Sequence, residues 1–364
     1  MRISVVRPGE LGPDDIAAWR NMQVQTRSLA NPFLSPEFAV AVGQVREHTR
    51  VAVLSDGSDT VGFFPFERGR YGIGLPLGPT ASDYQGLVHA PGLEWDPREL
   101  LRACKLDIWR FDHLEANQKP FEPYRTAILP SPLIDLTEGF ASYYGKLRAR
   151  SPQFCKDIER KTRKLEREAG PLRFEVNSDD EAAFRSLLSW KSQQYQRTGQ
   201  ADILNWPWYG ALVDALFAGR GGSNFSGLFS VLYAADVPVA AHFGLRGNGI
   251  LGHWHPAYDI KFAKYSAGLI MHLRLAEFTC EVGVREIDLA VGAHRYKEEL
   301  KSRDNFVGYG CVTAGTARGT VLAAAQRTRE SSSRWLTASV QQNPALLKRV
   351  RWIRRQRRFI PGLR

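Results

Sequence analysis

The sequence has few cysteines and no long apolar segment, and each absence excludes a class of protein. The four cysteines are Cys104, Cys155, Cys280 and Cys311, and no two of them form a Cys-x-x-Cys pair. Their spacing therefore suggests neither a zinc site nor a disulfide framework. No segment approaches the run of about 18 apolar residues that a membrane-spanning helix requires. The opening residues, MRISVVRPGELGPDD, lack the apolar core of a secretory signal, and we expect a cytoplasmic protein.

The excess positive charge lies in one part of the chain. The net charge is +11 at pH 7, and residues 317–364 alone contain twelve Lys or Arg against a single acidic residue, Glu330. Residues 1–316 are therefore neutral, with 37 basic and 37 acidic side chains. A neutral body offers no extended basic groove, so specific nucleic-acid binding is not expected.

The basic tail has an amphipathic pattern. Residues 344–359, PALLKRVRWIRRQRRF, place Leu346, Leu347, Val350 and Ile353 at helical spacing. Such a helix can bind an anionic membrane surface, where each basic residue contributes about 1 kcal/mol. We expect peripheral attachment at the inner membrane through this tail. Two alternatives remain open: the arginine cluster binds a cyclic dinucleotide or another polyphosphate, or the tail is a solvated terminus without a partner.

The remaining length suits two α/β domains. In the first, predicted helices near residues 14–26 and from Ser35-Pro36 to about residue 46 precede strand-like segments at 50–54, 61–66, 108–114 and 125–127. A charged helical region follows at 137–170. We expect one domain over 1–150, a second over 151–316 and the tail over 317–364.

The charged helical region carries a basic face, formed by Lys156, Arg160, Lys164 and Arg167. One interpretation is a solvated helix with interleaved glutamates, since runs of charge usually indicate exposure. The other is a basic ridge that holds a phosphate or diphosphate of the acceptor.

The second domain begins with predicted helices and then alternates like a sheet. Predicted strands at 229–234, 237–246 and 249–255 precede a helix at 268–281, a strand at 286–289, a short helix at 296–301 and a strand at 306–313. The small residues Ser266, Ala267 and Gly268 open the longer helix. Because the first N–H groups of a helix lack intrahelical partners, this opening can accept a pyrophosphate.

This order of elements resembles the GNAT acyltransferase fold, and the run from YDIKFAKYSAGL to DLAVGAHRYK resembles its CelD-like branch from bacterial cellulose and exopolysaccharide clusters. The branch has a Ser-Pro-Gly before the helix, where this chain has Ser266, Ala267 and Gly268. Its Tyr-Lys pair is matched by Tyr296 and Lys297. The resemblance covers about residues 150–315, and NPFLSPEF resembles the opening helix of the family. Related Fem-like ligases pair two GNAT-like domains, which implies an α/β mixed-sheet fold of tandem GNAT-like domains with a degenerate first domain.

The resemblance implies an acyl-CoA, such as acetyl-CoA, bound as a substrate between two diverging strands. No metal is expected, because His253 and His255 have no clear third ligand. The residues expected to bind it are Lys264, Tyr265, Ser266, Ala267, Gly268 and Lys297. For Lys297, a surface salt bridge with Glu298 or Asp288 is the alternative to a phosphate contact.

Four residues are candidates for catalysis. His255 is the first candidate base, with a packed histidine beside His253 as the alternative; the two would share one face of their strand. His242 either faces the acceptor or packs in the core. Asp288 orients a histidine, serves as a base, or caps the following turn. Tyr296 protonates the departing thiolate or is an aromatic core residue.

The expected function is therefore that of an acyl-CoA-dependent N- or O-acyltransferase acting on a sugar or lipid-linked glycan intermediate in exopolysaccharide biosynthesis. Two alternatives are a Fem-like transferase that uses aminoacyl-tRNA and a non-catalytic, nucleotide-sensing or scaffold subunit of a polysaccharide synthase. The replacements Ala290, Val291 and Ala293 at family positions favour the last of these.

Overall fold

The first part of the chain is a mixed α/β unit. The computed structural model describes residues 1–222 and 224–325. The first strands are β1 (Arg2–Val6), β2 (Thr49–Asp56), β3 (Asp59–Arg68), β4 (Ile73–Pro76), β5 (Val88–His89), β6 (Ile108–Glu115) and β7 (Arg125–Asp135). The helices among them are α1 (Pro13–Gln25), α2 (Pro36–Val45) and α3 (Pro97–Ala103). As the sequence predicts, the Ser35 hydroxyl caps α2 by accepting the N–H of Phe38.

The predicted helical region at 137–170 is two helices, α4 (Gly139–Arg150) and α5 (Pro152–Ala169). They separate at Ser151 because Pro152 takes the first position of α5, where its missing N–H costs nothing. Gly170 ends α5 with a φ of 103°.

The second part repeats the α/β pattern of the first. Its strands are β8 (Leu172–Val176), β9 (Phe225–Ala234), β10 (Val237–Gly247), β11 (Ile250–Tyr258), β12 (Glu286–Asp288) and β13 (Arg303–Thr313). Its helices are α6 (Glu181–Thr198), α7 (Pro207–Ala218), α8 (Ala267–Phe278) and α9 (Arg295–Leu300).

Twelve of these strands form one continuous path in the order β1-β2-β3-β4-β6-β13-β7-β12-β11-β10-β9-β8, and β5 pairs with β3 beside it. Read from either outer edge toward its centre, the sheet shows the same order of strand pairings. In each half an antiparallel meander ends in a parallel pair, β4 with β6 and β11 with β12. The predicted mixed α/β fold is confirmed.

The two halves exchange their last strands at the centre of the sheet. β7, from the first half, pairs with β12, whereas β13, from the second half, pairs with β6. The two exchanged strands also pair with each other. Each half is therefore completed by the other, and the boundary predicted near residue 150 separates segments of the chain that share one sheet.

The halves also share an apolar core. One buried cluster joins Trp19, Phe33 and Phe38 of the first half to Phe184 and Phe243 of the second. A second cluster packs α8 and α5 against the opposite face of the second half. Removing this much apolar surface from water favours a fixed relation between the halves.

The predicted basic tail lies largely outside the described residues, of which 317–325 are helical. The amphipathic segment 344–359 lies outside the described residues and stays a prediction. Within residues 1–222 and 224–325, no helix combines the length and the apolar character needed to cross a bilayer.

Candidate active site

A cleft opens where two parallel strands of the second half diverge. β11 and β12 pair only at Ile250–Gly252 with Glu286–Asp288, and beyond this point β11 continues to Tyr258 paired with β10 but not with β12. The cleft has a volume of about 930 Å³. Its size lies within the range typical of small-molecule sites.

A β-bulge lies beside this divergence. Phe243 pairs with His255 and Leu245 pairs with Gly252, so Gly244 alone faces two residues of β11. A bulge breaks the regular alternation of side chains along a strand. The prediction that His253 and His255 share one face is therefore wrong: His253 stacks on His242, with ring centroids 4.4 Å apart, whereas His255 contacts Tyr209.

The histidines are buried and held neutral. The His255 ring lines the cleft, and its Nε2 lies 3.2 Å from the Tyr209 hydroxyl. Burial, and then the charge of Lys191, lower the pKa of His255 well below its usual value, which makes it a weak base. His242 is fully buried and packs on His253 outside the cleft lining. Of its two predicted positions, the structure favours the place in the core over the one facing the acceptor.

The Asp288 carboxylate bonds to other groups of the protein and does not line the cleft. Its carboxylate accepts hydrogen bonds from the Tyr84 hydroxyl at 2.6 Å, the Ser131 hydroxyl at 2.7 Å and the Ala290 N–H at 2.9 Å. The last bond caps the turn after β12, where Ala290 has a φ of 59°. Of the three predicted roles, the structure therefore favours the turn cap. Among the described residues, no histidine is hydrogen-bonded to the Asp288 carboxylate, which argues against the orienting role.

The Lys297 ammonium is enclosed by the same turn. It donates to the carbonyl oxygens of Ala290 at 2.9 Å and Val291 at 3.1 Å, and the side chain is 6% exposed. Burial lowers its pKa, and the charges of Asp83 and Asp288 oppose that effect. The predicted surface salt bridge is wrong, because Lys297 is buried and lines the cleft.

The start of α8 lies at the other end of the cleft. Gly268 and Leu269 line the cleft, and Ser266 precedes the helix in the left-handed region, with a φ of 55°. The amides of Leu269 and Ile270 bond back to the Ser266 carbonyl. The backbone hydrogen bonds within the described ranges include none from the amide of Gly268, so this N–H remains available to a ligand.

The other residues predicted to bind the acyl-CoA lie apart from the cleft. Ala267 is fully buried. The Tyr265 hydroxyl donates to Glu168 at 2.8 Å, and the Lys264 ammonium lies 3.4 Å from the same carboxylate. Lys264 and Tyr265 are therefore directed at α5, which corrects their expected place at a phosphate.

Tyr296 is placed in the cleft wall, at the start of α9. Its ring makes an edge contact with His272, with centroids 4.8 Å apart. Burial raises the pKa of its hydroxyl, so Tyr296 keeps its proton at neutral pH. The raised pKa also makes the phenol a weaker acid, so the support for the predicted role as a proton source is the position of Tyr296 in the cleft wall.

Several cleft residues were missed by the sequence analysis. They are Asp83, Lys161, Lys191, Tyr195 and Tyr209. Burial lowers the pKa of Lys191 to about 8, and its ammonium lies 3.3 Å from the Pro256 carbonyl of β11. Lys161 donates to the Ser266 hydroxyl at 2.7 Å. The helical spacing of α6 around Lys191 and Tyr195 could have indicated a shared face, whereas no pattern marked Asp83.

The predicted basic face of α5 is mostly a solvated surface. Arg160 pairs with Asp157, and Lys164 and Arg167 lie within 4 Å of Glu168. Exposed pairs of this kind are typical of a charged helix surface. Lys161, which lies between these residues in sequence, is the lysine of α5 that reaches the cleft.

Comparisons with known proteins agree with this geometry. Residues 152–298 match the family model of the acetyltransferase (GNAT) domain. No curated protein gives a match to the chain. The second half is a GNAT-type acyltransferase domain. The enzyme class predicted from the sequence is thereby confirmed.

Solved structures similar to the chain share its fold. The structure of FemX is 9% identical, with 85% of this chain and 96% of that chain covered and a TM-score of 0.54. The C-terminal domain of a putative lysylphosphatidylglycerol synthetase from Agrobacterium fabrum is 11% identical, with coverages of 86% and 96% and a TM-score of 0.51. A conserved protein of unknown function from Bacteroides thetaiotaomicron is 12% identical, with coverages of 86% and 100% and a TM-score of 0.51. At these identities the similarity concerns the fold alone.

Proposed function

We propose that the protein transfers an acyl group from an acyl-CoA, such as acetyl-CoA, to an amine or hydroxyl group of a sugar or lipid-linked glycan intermediate, as in exopolysaccharide assembly. The observation that carries this proposal is the cleft between the diverging ends of β11 and β12, with the start of α8 at one end. A thioester placed there would lie along the edge of β11 that β12 no longer pairs with.

The donor end of the cleft suits a pyrophosphate. The Gly268 amide faces the cleft at the positive end of α8, and the Lys161 ammonium lies beside it on the Ser266 hydroxyl. A cation and an oriented N–H together bind a phosphate more strongly than either alone. Lys161 thus takes the part that the resemblance gave to Lys264.

The opposite wall suits a polar ring compound. Tyr195, Tyr209 and Trp254 line this part of the cleft, and Lys191 lies among them. Aromatic faces stack against the apolar side of a sugar ring, while hydroxyl and ammonium groups bind its polar edge. This wall is the support for a sugar or glycan as the acceptor.

The chemistry needs a proton donor for the leaving group. In the proposed reaction the acceptor nitrogen or oxygen attacks the thioester carbonyl carbon, the C–S bond breaks and the sulfur takes a proton. Tyr296, protonated and in the cleft wall, is the proposed donor. No specific observation in the cleft favours the aminoacyl-tRNA alternative, although FemX shares the fold.

Calorimetric titration with acetyl-CoA tests the proposal, because a transferase of this kind requires specific binding, with a Kd of about 1 µM to 1 mM if it follows the usual range of KM. Gly268→Leu should abolish binding, since a Cβ at this position would lie 3.1 Å from the Tyr258 ring. Gly145→Leu on α4 is the matched control, because nothing lies within 4 Å of its added Cβ. Failure of the wild-type protein to bind acetyl-CoA would contradict the transferase proposal and favour the scaffold alternative.

We further propose that residues 344–359 bind an anionic membrane surface, on the strength of their sequence pattern. Deletion of residues 341–364 should abolish flotation with vesicles that contain anionic lipid. Equal partition of both proteins between vesicles and buffer would contradict it. Absence of vesicle binding, combined with binding of a cyclic dinucleotide that the deletion abolishes, would instead support the polyphosphate alternative.

A further inference from the structure

In the first half, the chain itself fills the position that corresponds to the cleft of the second half. β4 and β6 pair in parallel only at Ile73–Gly74 with Ile108–Trp109, which repeats the short pairing of β11 with β12. Beyond this point, residues 85–89 continue the sheet between β3 and β6. Gln85 bonds through its backbone to His113 and Glu115, and β5 pairs with β3. The position that is open in the second half is therefore occupied by the chain itself in the first.

The segment that fills this position is firmly held. The Gln85 side chain accepts from the backbone N–H groups of Asp112 and His113 and donates to the Asp112 carboxylate. Gly86, with a φ of 143°, has space for no side chain, since a Cβ would lie 2.2 Å from the Gln118 amide nitrogen. Residues 85 and 86 are thus fixed against β6 and the turn that follows it.

The preceding residues of the same segment reach the cleft of the second half. Thr80 and Asp83 line that cleft. Asp83 lies between two anchored residues: the Ser82 hydroxyl donates to the Tyr84 carbonyl at 2.6 Å, and the Tyr84 hydroxyl donates to Asp288 at 2.6 Å. The Asp83 carboxylate is therefore positioned by the first half but faces the reaction space of the second.

The Asp83 carboxylate is available to a ligand. Among residues 1–222 and 224–325, the side-chain hydrogen bonds and ion pairs include none to its oxygens, although the residue is half-buried. Burial raises its pKa to about 6, and the charges of His113 and Lys297 oppose this effect. At pH 7 it is mostly ionised and more basic than an ordinary carboxylate, as a general base requires. The titratable and charged groups around it are Asp112, His113, Lys191, Tyr195, Tyr209, Asp288, Lys297 and Tyr309.

We propose that Asp83, supplied by the first half, is the catalytic residue that removes the proton from the acceptor in the cleft of the second half. The inference rests on the proposed transferase function. As the acceptor nitrogen or oxygen bonds to the thioester carbon, its proton passes to the Asp83 carboxylate. The C–S bond breaks with its electron pair on sulfur, which takes a proton from Tyr296. Solvent then carries the proton from Asp83 to Tyr296, so that one acceptor proton ends on the thiol.

The test is the release of coenzyme A thiol from acetyl-CoA, measured from pH 5 to 9 with glucosamine as the acceptor and with water alone, since both reactions need a base. Asp83→Asn should lower kcat about 100-fold or more, in the range attributed to general base catalysis. The acid limb of kcat/KM near pH 6 should disappear. Asp83→Glu should restore part of the rate, and the Kd of acetyl-CoA should stay unchanged in both variants. Asp59→Asn, in the hairpin between β2 and β3, is the control.

The outcomes separate the inference from the function on which it rests. Wild-type thiol release combined with an unchanged rate and pH profile in Asp83→Asn would overturn the role of Asp83 and leave the transferase proposal standing. Absence of acetyl-CoA binding, or of thiol release in both reactions of the wild-type protein, would overturn the two together. A thermal unfolding curve of Asp83→Asn that matches the wild-type curve would show that a lost rate is not a lost fold.

Discussion

The hydroxyl of Tyr84 donates a 2.6 Å hydrogen bond to the buried carboxylate of Asp288, and this bond joins the two halves of the protein beside the cleft. Asp288 ends β12, whose divergence from β11 opens the cleft. Tyr84 follows Asp83, which faces that cleft. This one hydrogen bond thus fixes the segment around Asp83, from the first half, against β12 of the second half.

Tyr84→Phe should destabilise the protein, because Asp288 loses one of its three hydrogen bonds while remaining buried. Loss of a partner from a buried polar group costs about 1–3 kcal/mol. Unfolding in urea measures the change. Tyr71→Phe is a suitable control, since Tyr71 is 70% exposed. Equal free energies of unfolding for wild type and Tyr84→Phe would contradict a structural role for the bond.

Lys297→Met should shift the pH profile of the reaction. The positive charge of Lys297 lowers the pKa of Asp83, so its removal raises that pKa and moves the acid limb of kcat/KM to higher pH. The substitution also leaves the carbonyls of Ala290 and Val291 without their donor, at a cost of about 1–3 kcal/mol in stability.

The control for this variant is Lys301→Met. Lys301, just after α9, pairs with Glu298 and Asp304 near the surface. Its loss should leave the acid limb in place. A limb that stays fixed in Lys297→Met, or that moves equally in both variants, would show that the Lys297 charge does not act on the base.

Local patterns predicted much of the fold. The capping of α2 by Ser35, the meander of β9 to β11 and the helix after Ser266 all depend on neighbours in sequence, and the structure contains each of them. The strand exchange was beyond such patterns, because the pairing of β13 with β6 joins residues about two hundred positions apart. Periodicity gives the face of a strand but not its partner.

The candidate site was predicted less completely, for two physical reasons. The bulge opposite Gly244 changes which way His253 and His255 point, and a bulge leaves no mark on the alternation that the sequence shows. Asp83 lies in a segment of Gly and Pro turns that indicates only a loop. Its importance comes from tertiary contacts that Tyr84 and Gln85 make far along the chain.

The contribution of Glu115 to stability should fall between about pH 4.5 and 7. This carboxyl is 3% exposed, and burial raises its pKa from 4.5 to about 7. In that pH range the Glu115 carboxyl binds more protons in the folded state than in the unfolded state, so its contribution to the free energy of unfolding decreases as pH rises, by up to about 3 kcal/mol. The buried histidines, with their lowered pKa values, act in the opposite direction. Urea unfolding of the wild type and of Glu115→Gln at pH 5 and pH 8 isolates this contribution.

Glu115→Gln should remove this contribution, because an amide does not titrate, so the change in its free energy of unfolding from pH 5 to pH 8 should be more favourable than that of the wild type. Glu122→Gln should retain it, since the Glu122 side chain is 67% exposed. The comparison is between the pH 5 and pH 8 values within each variant, so that a constant cost of the substitution cancels. An equal change in free energy of unfolding from pH 5 to pH 8 in wild type and Glu115→Gln would contradict the role of Glu115.

Lys161→Ala should weaken the binding of acetyl-CoA without changing kcat. The Lys161 ammonium lies on the Ser266 hydroxyl at the start of α8, where the pyrophosphate is proposed to bind. Loss of a charge-assisted hydrogen bond of about 1.4 kcal/mol corresponds to a tenfold higher Kd. The remaining binding should also depend less on salt, because screening acts on the charge that has been removed.

Lys164→Ala, one turn along α5 and 3.9 Å from Glu168, should bind acetyl-CoA like the wild type. A calorimetric Kd that is the same for wild type and Lys161→Ala would place the pyrophosphate elsewhere in the cleft.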